Sequence, residues 1–180
     1  ASSSKLNLLK LNSNGDTLWT TTANFGSTQF SGFCEFNSRL SEVLKLSNGD
    51  ILVVGQIGYN CGAGNNIVLC YFDQDGLHLQ SKIIPFGTDI SNVLSKVIET
   101  SASELLFFGK LGSYSGVTST GALSFKTDLA GTYISGTVIN DGSQYTTGIE
   151  TQDGGMLIGS SNTYVADPSY QKIALYKLDA

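Results

Sequence analysis

One histidine, three cysteines and fifteen acidic residues bound the chemistry open to this 180-residue chain. His78 stands between Leu77 and Leu79 in an alternating stretch, so a Ser-His-Asp arrangement would depend on an imidazole carried by an outer strand. A glycoside hydrolase needs two carboxylates at a set separation. Glu35, Asp89, Asp141 and Asp167 fall in longer loops, but no spacing pairs them. Cys34, Cys61 and Cys70 form no C-x-x-C pair, and with one histidine they make no zinc set. Asn12-Ser13-Asn14-Gly15 and Asp73-Gln74-Asp75-Gly76 place oxygen side chains at alternate positions before a glycine, as a calcium loop does, without its closing acid. Turn formation accounts for both segments. The expectation is a chain with no cofactor, no metal and no enzymatic activity.

Binding chemistry has more material. Tyr59, Tyr114 and Tyr164 follow Gly55, Gly109 and Gly159 by 4, 5 and 5 residues, and Phe30 and Tyr170 lie in similar surroundings of Asn, Ser, Gly and Thr. Aromatic faces beside amides and hydroxyls can stack on sugar rings or anchor a protein partner. Tyr59, Tyr114, Tyr164, Tyr170 and Phe30 are therefore the candidate ligand-binding residues, and one weak site per repeat would give avidity. The alternative is that the tyrosines only cover the ends of sheets. Cys34 and Cys61 are placed in adjacent long loops and are the disulfide candidate if the protein is secreted. Cys70, among Val68, Leu69 and Phe72, reads as a small buried apolar residue.

These side chains must be held by strands. The chain has 21 glycines and 2 prolines, 41% hydrophobic residues and 14% charged, a profile poor in long helices and rich in turns. A net charge of −5 argues against a surface that wraps nucleic acid or anionic lipid. No stretch approaches the roughly 20 apolar residues of a membrane helix, so a soluble chain is expected. Low charge with much Asn, Ser, Thr and Gly points outside the cytoplasm, to an extracellular or cell-surface setting.

An internal repeat organises the strands. An apolar segment runs into a polar turn at Leu8–Gly15, Val68–Gly76 and Leu123–Gly131, and again at Ala174–Asp179; Asn12, Asp73, Asp128 and Asp179 are 61, 55 and 51 residues apart. Gly55, Gly109 and Gly159 close a second recurring strand at intervals of 54 and 50. Strands are predicted near 5–11, 17–23, 40–46, 51–57, 67–73, 77–84, 93–99, 104–110, 121–127, 131–139, 145–151, 155–161 and 172–179. Tight connections at 47–50, 74–76, 100–103, 128–131 and 152–154 share one face. The mostly longer ones at 24–39, 58–66, 85–92, 111–120, 140–144 and 162–171 share the other, where recognition would be built.

Four strands per repeat describe a propeller blade. Lys10-Leu11-Asn12 with Gly15 and Trp19, Asp153-Gly154-Gly155 and Lys177-Leu178-Asp179 make the chain resemble bacterial secreted and surface β-propeller repeats of the K-L-D-x-x-G … D-G-G type. Ser101-Ala102-Ser103-Glu104 replaces the D-G-G turn in the middle unit. The resemblance implies an all-β propeller segment of about three four-stranded blades plus end strands, often a non-catalytic module. The units are a partial one at 1–39, then 40–92, 93–144 and 145–180, forming one domain or part of a larger propeller. A propeller holds about 4–8 blades, so closure requires the remainder of a larger surface protein, other chains, or a homodimer that closes the ring. The expected function is a non-enzymatic scaffold or binding module in adhesion, recognising protein or carbohydrate. The alternatives are a multivalent propeller lectin and a glycoside hydrolase-like enzyme using loop carboxylates; nucleic acid and membrane insertion are not expected.

Overall fold

The computed structural model of the chain describes residues 4–25, 33–59, 65–84, 90–113, 121–139, 143–163 and 171–179. They are all-β. An N-terminal pair holds β1 (Ser4–Leu11) and β2 (Thr17–Phe25). The second sheet holds β3 (Phe33–Lys45), β4 (Ile51–Tyr59), β5 (Asn65–Phe72) and β6 (His78–Ile84). The third holds β7 (Ile90–Glu99), β8 (Glu104–Ser113), β9 (Gly121–Asp128) and β10 (Tyr133–Ile139). The last holds β11 (Ser143–Glu150), β12 (Met156–Thr163) and β13 (Gln171–Leu178). Every sheet is an antiparallel meander in chain order, and none closes on itself.

One turn design recurs at one end of the sheets. In the hairpins β1–β2, β3–β4, β5–β6, β7–β8, β9–β10 and β11–β12, the first turn residue accepts from the N–H three places on and donates to the carbonyl four places on. Those first residues are Asn12, Leu46, Asp73, Thr100, Asp128 and Thr151. This is a type I turn followed by a left-handed residue. Glycine holds the left-handed place at Gly15, Gly49, Gly76, Gly131 and Gly154; Ser103 holds it at φ 58°. The Oδ1 atoms of Asn12 and Asp73 each accept two further hydrogen bonds from following backbone N–H groups, at 2.8 to 2.9 Å. The Oδ1 oxygens of Asn12 and Asp73 are thus spent on shaping their turns.

The sheets stack in chain order. Leu52, Val54, Ile67 and Leu69 of the second sheet pack on Leu94, Val97, Leu105, Phe107 and Phe125 of the third. The opposite face of the second sheet, through Val53, Val68, Cys70 and Phe72, covers Leu6 of the N-terminal pair. Leu106 and Phe108 of the third meet Ile158 of the last. The apolar runs Ile51–Val54 and Leu105–Phe108 are therefore central strands buried on both faces. Phe107 and Phe125 are cross-strand partners whose rings stack at 4.4 Å and 3°. Gly148 of β11 lets the last sheet approach the third, because a Cβ there would stand 2.2 Å from Phe108 Cε1.

The largest departure from the sequence expectation is at β3. It starts at Phe33, inside the expected 24–39 loop, with its register shifting between Cys34 and Arg39 and again between Leu40 and Glu42. Irregular pairing breaks the alternation by which a strand is recognised.

Candidate functional site

The tight-turn end carries two sets of links between neighbouring sheets. Glu99, the last residue of β7, accepts from the Ser47 N–H and hydroxyl at 2.7 and 2.6 Å. Glu150, the last residue of β11, does the same for Ser101 at 2.7 and 2.9 Å. In each case the carboxylate of one sheet caps the first-strand turn of the sheet before it, and a charged acceptor makes these stronger than neutral hydrogen bonds. The second set runs from β1 and from β5 to a turn carbonyl of the next sheet. Lys10 Nζ donates to Gln74 O at 3.0 Å, and the Tyr71 hydroxyl donates to Leu129 O. Burial, together with the charges of Asp128 and Cys70, pushes the Tyr71 hydroxyl up to about 12, so it stays a donor through neutral pH.

Lys10 and Trp19 are direct cross-strand partners, and the Trp19 indole N–H also donates to Gln74 O, at 3.3 Å. The Lys10 ammonium lies 5.8 Å from the Trp19 ring centre. Beside them a groove of about 410 Å³ opens between the N-terminal pair and the second sheet, lined by Leu8, Leu9, Lys10, Val43, Lys45 and Ile51 among others. Its walls are mainly apolar, with two ammonium groups at the rim. β1 pairs with β2 alone among the described strands, so the groove runs along an edge of β1 that no other described strand covers.

Few of the sequence candidates fall on described side chains. Tyr59 is the last residue of β4, opposite Phe33. Ser113 and Thr163 end β8 and β12, so Tyr114 and Tyr164 come directly after the matching strand ends. Phe30, Tyr114, Tyr164 and Tyr170 lie outside the described residues, as do Cys61, Asp89, Asp141 and Asp167. Cys34 and Glu35 lie in β3 instead of a loop, with Cys34 opposite Gly58. No disulfide is formed among the described residues, and the pairing of Cys34 with Cys61 remains an expectation. Cys70 is buried and unpaired; desolvation pushes its thiol up to about 11, against a partly opposing contact from the Ser81 hydroxyl at 3.5 Å. His78 opens β6, packs edge-on against Phe72 at 5.3 Å and shares a hydrogen bond with Ser81 at 2.8 Å. Among the described residues no three His, Cys, Asp or Glu side chains are grouped to hold a metal ion.

The groove was not singled out in the sequence, although Lys10 and Trp19 were. Its other wall comes from Val43 and Lys45, about two dozen residues away, and only the packing of β1 on the second sheet brings them together. No protein-family model and no curated protein matches the sequence.

Proposed function

We propose that the chain is a β-propeller segment serving as a non-enzymatic extracellular or cell-surface module, which binds protein or carbohydrate through the loops opposite the tight turns. The contrast between the two ends of the sheets carries this reading. Six turns of one design, linked from sheet to sheet, occupy one end. The connections at the other end run from three residues (140–142) to seven (26–32) between strands. A scaffold fixed at one end and variable at the other is the arrangement in which loops carry recognition. The stacking of meander sheets in chain order supports the blade reading.

A multivalent lectin is the second reading. It is favoured by the placing of Tyr59, Tyr114 and Tyr164 at or just after matching strand ends. A glycan array probed with the labelled chain, beside the triple variant Tyr59→Ala/Tyr114→Ala/Tyr164→Ala, separates the two. Sugar binding lost in a folded triple variant establishes the lectin. An array without signal removes it and leaves protein partners. Turnover of a glycoside that is abolished by replacing Glu35, Asp89 and Asp141 would contradict the non-enzymatic reading.

A further inference from the structure

Two turns carry the same four residues in the same conformation. Ser13-Asn14-Gly15-Asp16 joins β1 to β2, and Ser47-Asn48-Gly49-Asp50 joins β3 to β4. In each the glycine has a positive φ, 88° at Gly15 and 94° at Gly49. Its N–H donates to the carbonyl three places back, at 3.1 Å to Asn12 and 2.9 Å to Leu46. Asn14 and Asn48 are both exposed, and a Cβ at either glycine would meet nothing within 4 Å. These are the two Asn-Gly steps of the chain.

An asparagine before glycine is open to attack by the backbone on its own side chain, because the glycine has no Cβ to shield its nitrogen. That nitrogen loses its proton and bonds to Cγ of the asparagine, while the Cγ–Nδ2 bond breaks and Nδ2 leaves with the proton as ammonia. Water then opens the cyclic imide at either carbonyl. One opening gives aspartate; the other gives isoaspartate, whose main chain runs through the former side chain. Water is the only co-reactant. The step requires a side-chain amide that can swing toward the next nitrogen.

The residue that opens each turn decides whether it can. Asn12 opens the first turn; its Nδ2 donates to Asp16 Oδ2 at 3.0 Å, and its Oδ1 accepts from the Asn14 and Asp16 N–H groups. Asp16 is thereby engaged away from Asn14, whose side-chain amide has no hydrogen bond among the described residues. Leu46 opens the second turn and offers no such donor. There Asp50 Oδ2 accepts from Asn48 Nδ2 at 2.8 Å, and the Asp50 N–H donates to Asn48 Oδ1 at 3.0 Å. Both ends of the Asn48 amide are held, and its leaving nitrogen is tied to a carboxylate. Glu99 of the third sheet pins the same turn through Ser47. Asp153, at the matching place in the β11–β12 turn, is likewise held by Lys177 and Thr151.

We propose that Asn14 is a site of spontaneous deamidation and isoaspartate formation, and that Asn48, in the same tetrapeptide and the same turn, is protected by its tie to Asp50. The modification adds a negative charge to a chain whose net charge is already −5. Isoaspartate also lengthens the main chain of the turn by a carbon atom. That moves Gly15 relative to Asn12 and strains the hairpin that holds Lys10 and Trp19 on the Gln74 carbonyl. The site stands independently of what the module binds.

Peptide mapping by mass spectrometry of the full folded chain, held at neutral pH, tests this. Asn14 is expected to convert to a mixture of isoaspartate and aspartate. Asn48 converts more slowly by about tenfold or more, the effect of opening a hydrogen bond to a charged group. In urea, where both tetrapeptides lose their turns, the two rates converge. Asp50→Ala speeds Asn48 in the folded chain by about tenfold and leaves Asn14 unchanged. Equal rates in the folded chain, a difference that persists in urea, aspartate without isoaspartate at position 14, or an Asn48 rate indifferent to Asp50→Ala would each overturn the proposal.

Discussion

The interface between the second and third sheets and the two ends of the stack are built from the same repeat, yet they differ in what touches them. In the interior, Val97, Leu105 and Phe107 are fully buried beneath Leu52, Val54 and Leu69. At the ends Val43, Leu175 and Ile173 keep the apolar character of their buried counterparts but are largely exposed. The apolar pattern of the repeat is thus the same in the first and last sheets as in the interior, and what differs is whether another described sheet lies over it.

Substitutions can sharpen that contrast. The largest effect is expected from Phe107→Ala in the interior, which removes a fully buried ring stacked on Phe125; urea unfolding should show a loss of about 3–5 kcal/mol. Val43→Ala, the end counterpart of a buried position, should leave the unfolding midpoint of a dilute sample nearly unchanged. Equal losses for the two would erase the distinction between interior and end. Gly148→Ala comes next. The added methyl would overlap the Phe108 ring, and a loss of about 1–3 kcal/mol is expected from overpacking.

Ser103→Gly should act in the opposite direction. Ser103 is the non-glycine residue in the left-handed place of the six turns, and relieving that conformation should gain about 1 kcal/mol, less the extra entropy of glycine in the unfolded chain. An unchanged or lower unfolding midpoint would mean that the serine side chain compensates for its backbone.

The smallest effect expected is the dependence on acid. Asp153 is held below the usual carboxylate range first by its hydrogen bond from Lys177, then by those from Thr151 and Gly155. Asp128 is lowered first by the Thr132 backbone N–H, with Lys82 adding to it. A carboxylate lowered in the folded state contributes stability that is present above its unfolded pKa of about 4 and is lost as pH falls through the folded value. Unfolding midpoints should therefore decline below about pH 4, and Asp153→Asn should flatten part of that decline. Because Asp153 sits at an end of the stack and Asp128 in an interior turn, Asp128→Asn should flatten it independently. A decline identical in both variants and wild type would remove these two residues as its source.

The hairpins were legible in the sequence because their determinants are local. Asn12, Asp73 and Asp128 shape their own turns, and the glycines three places on supply the left-handed residue. The apolar runs at Ile51 and Leu105 likewise announced strands buried on both faces. The start of β3 is not legible in the sequence because register shifts between Cys34 and Arg39 and between Leu40 and Glu42 disrupt its alternation. Ser47–Glu99 and Ser101–Glu150 span about fifty residues and depend on how sheets stack, so no local pattern shows them. Their matching phase in the repeat is nevertheless a usable signal, since each serine directly follows the first turn residue and each glutamate directly precedes one. The aromatic and cysteine candidates rest on loop composition, and Phe30, Tyr114, Tyr164, Tyr170 and Cys61 lie outside the described residues.

Amide hydrogen exchange of the unmodified chain bears most directly on whether the interior sheets and the ends of the stack differ in stability. The account predicts that β4, β5, β8 and β9 exchange last and β1, β2 and β13 first. Equal protection of all of these strands would contradict it.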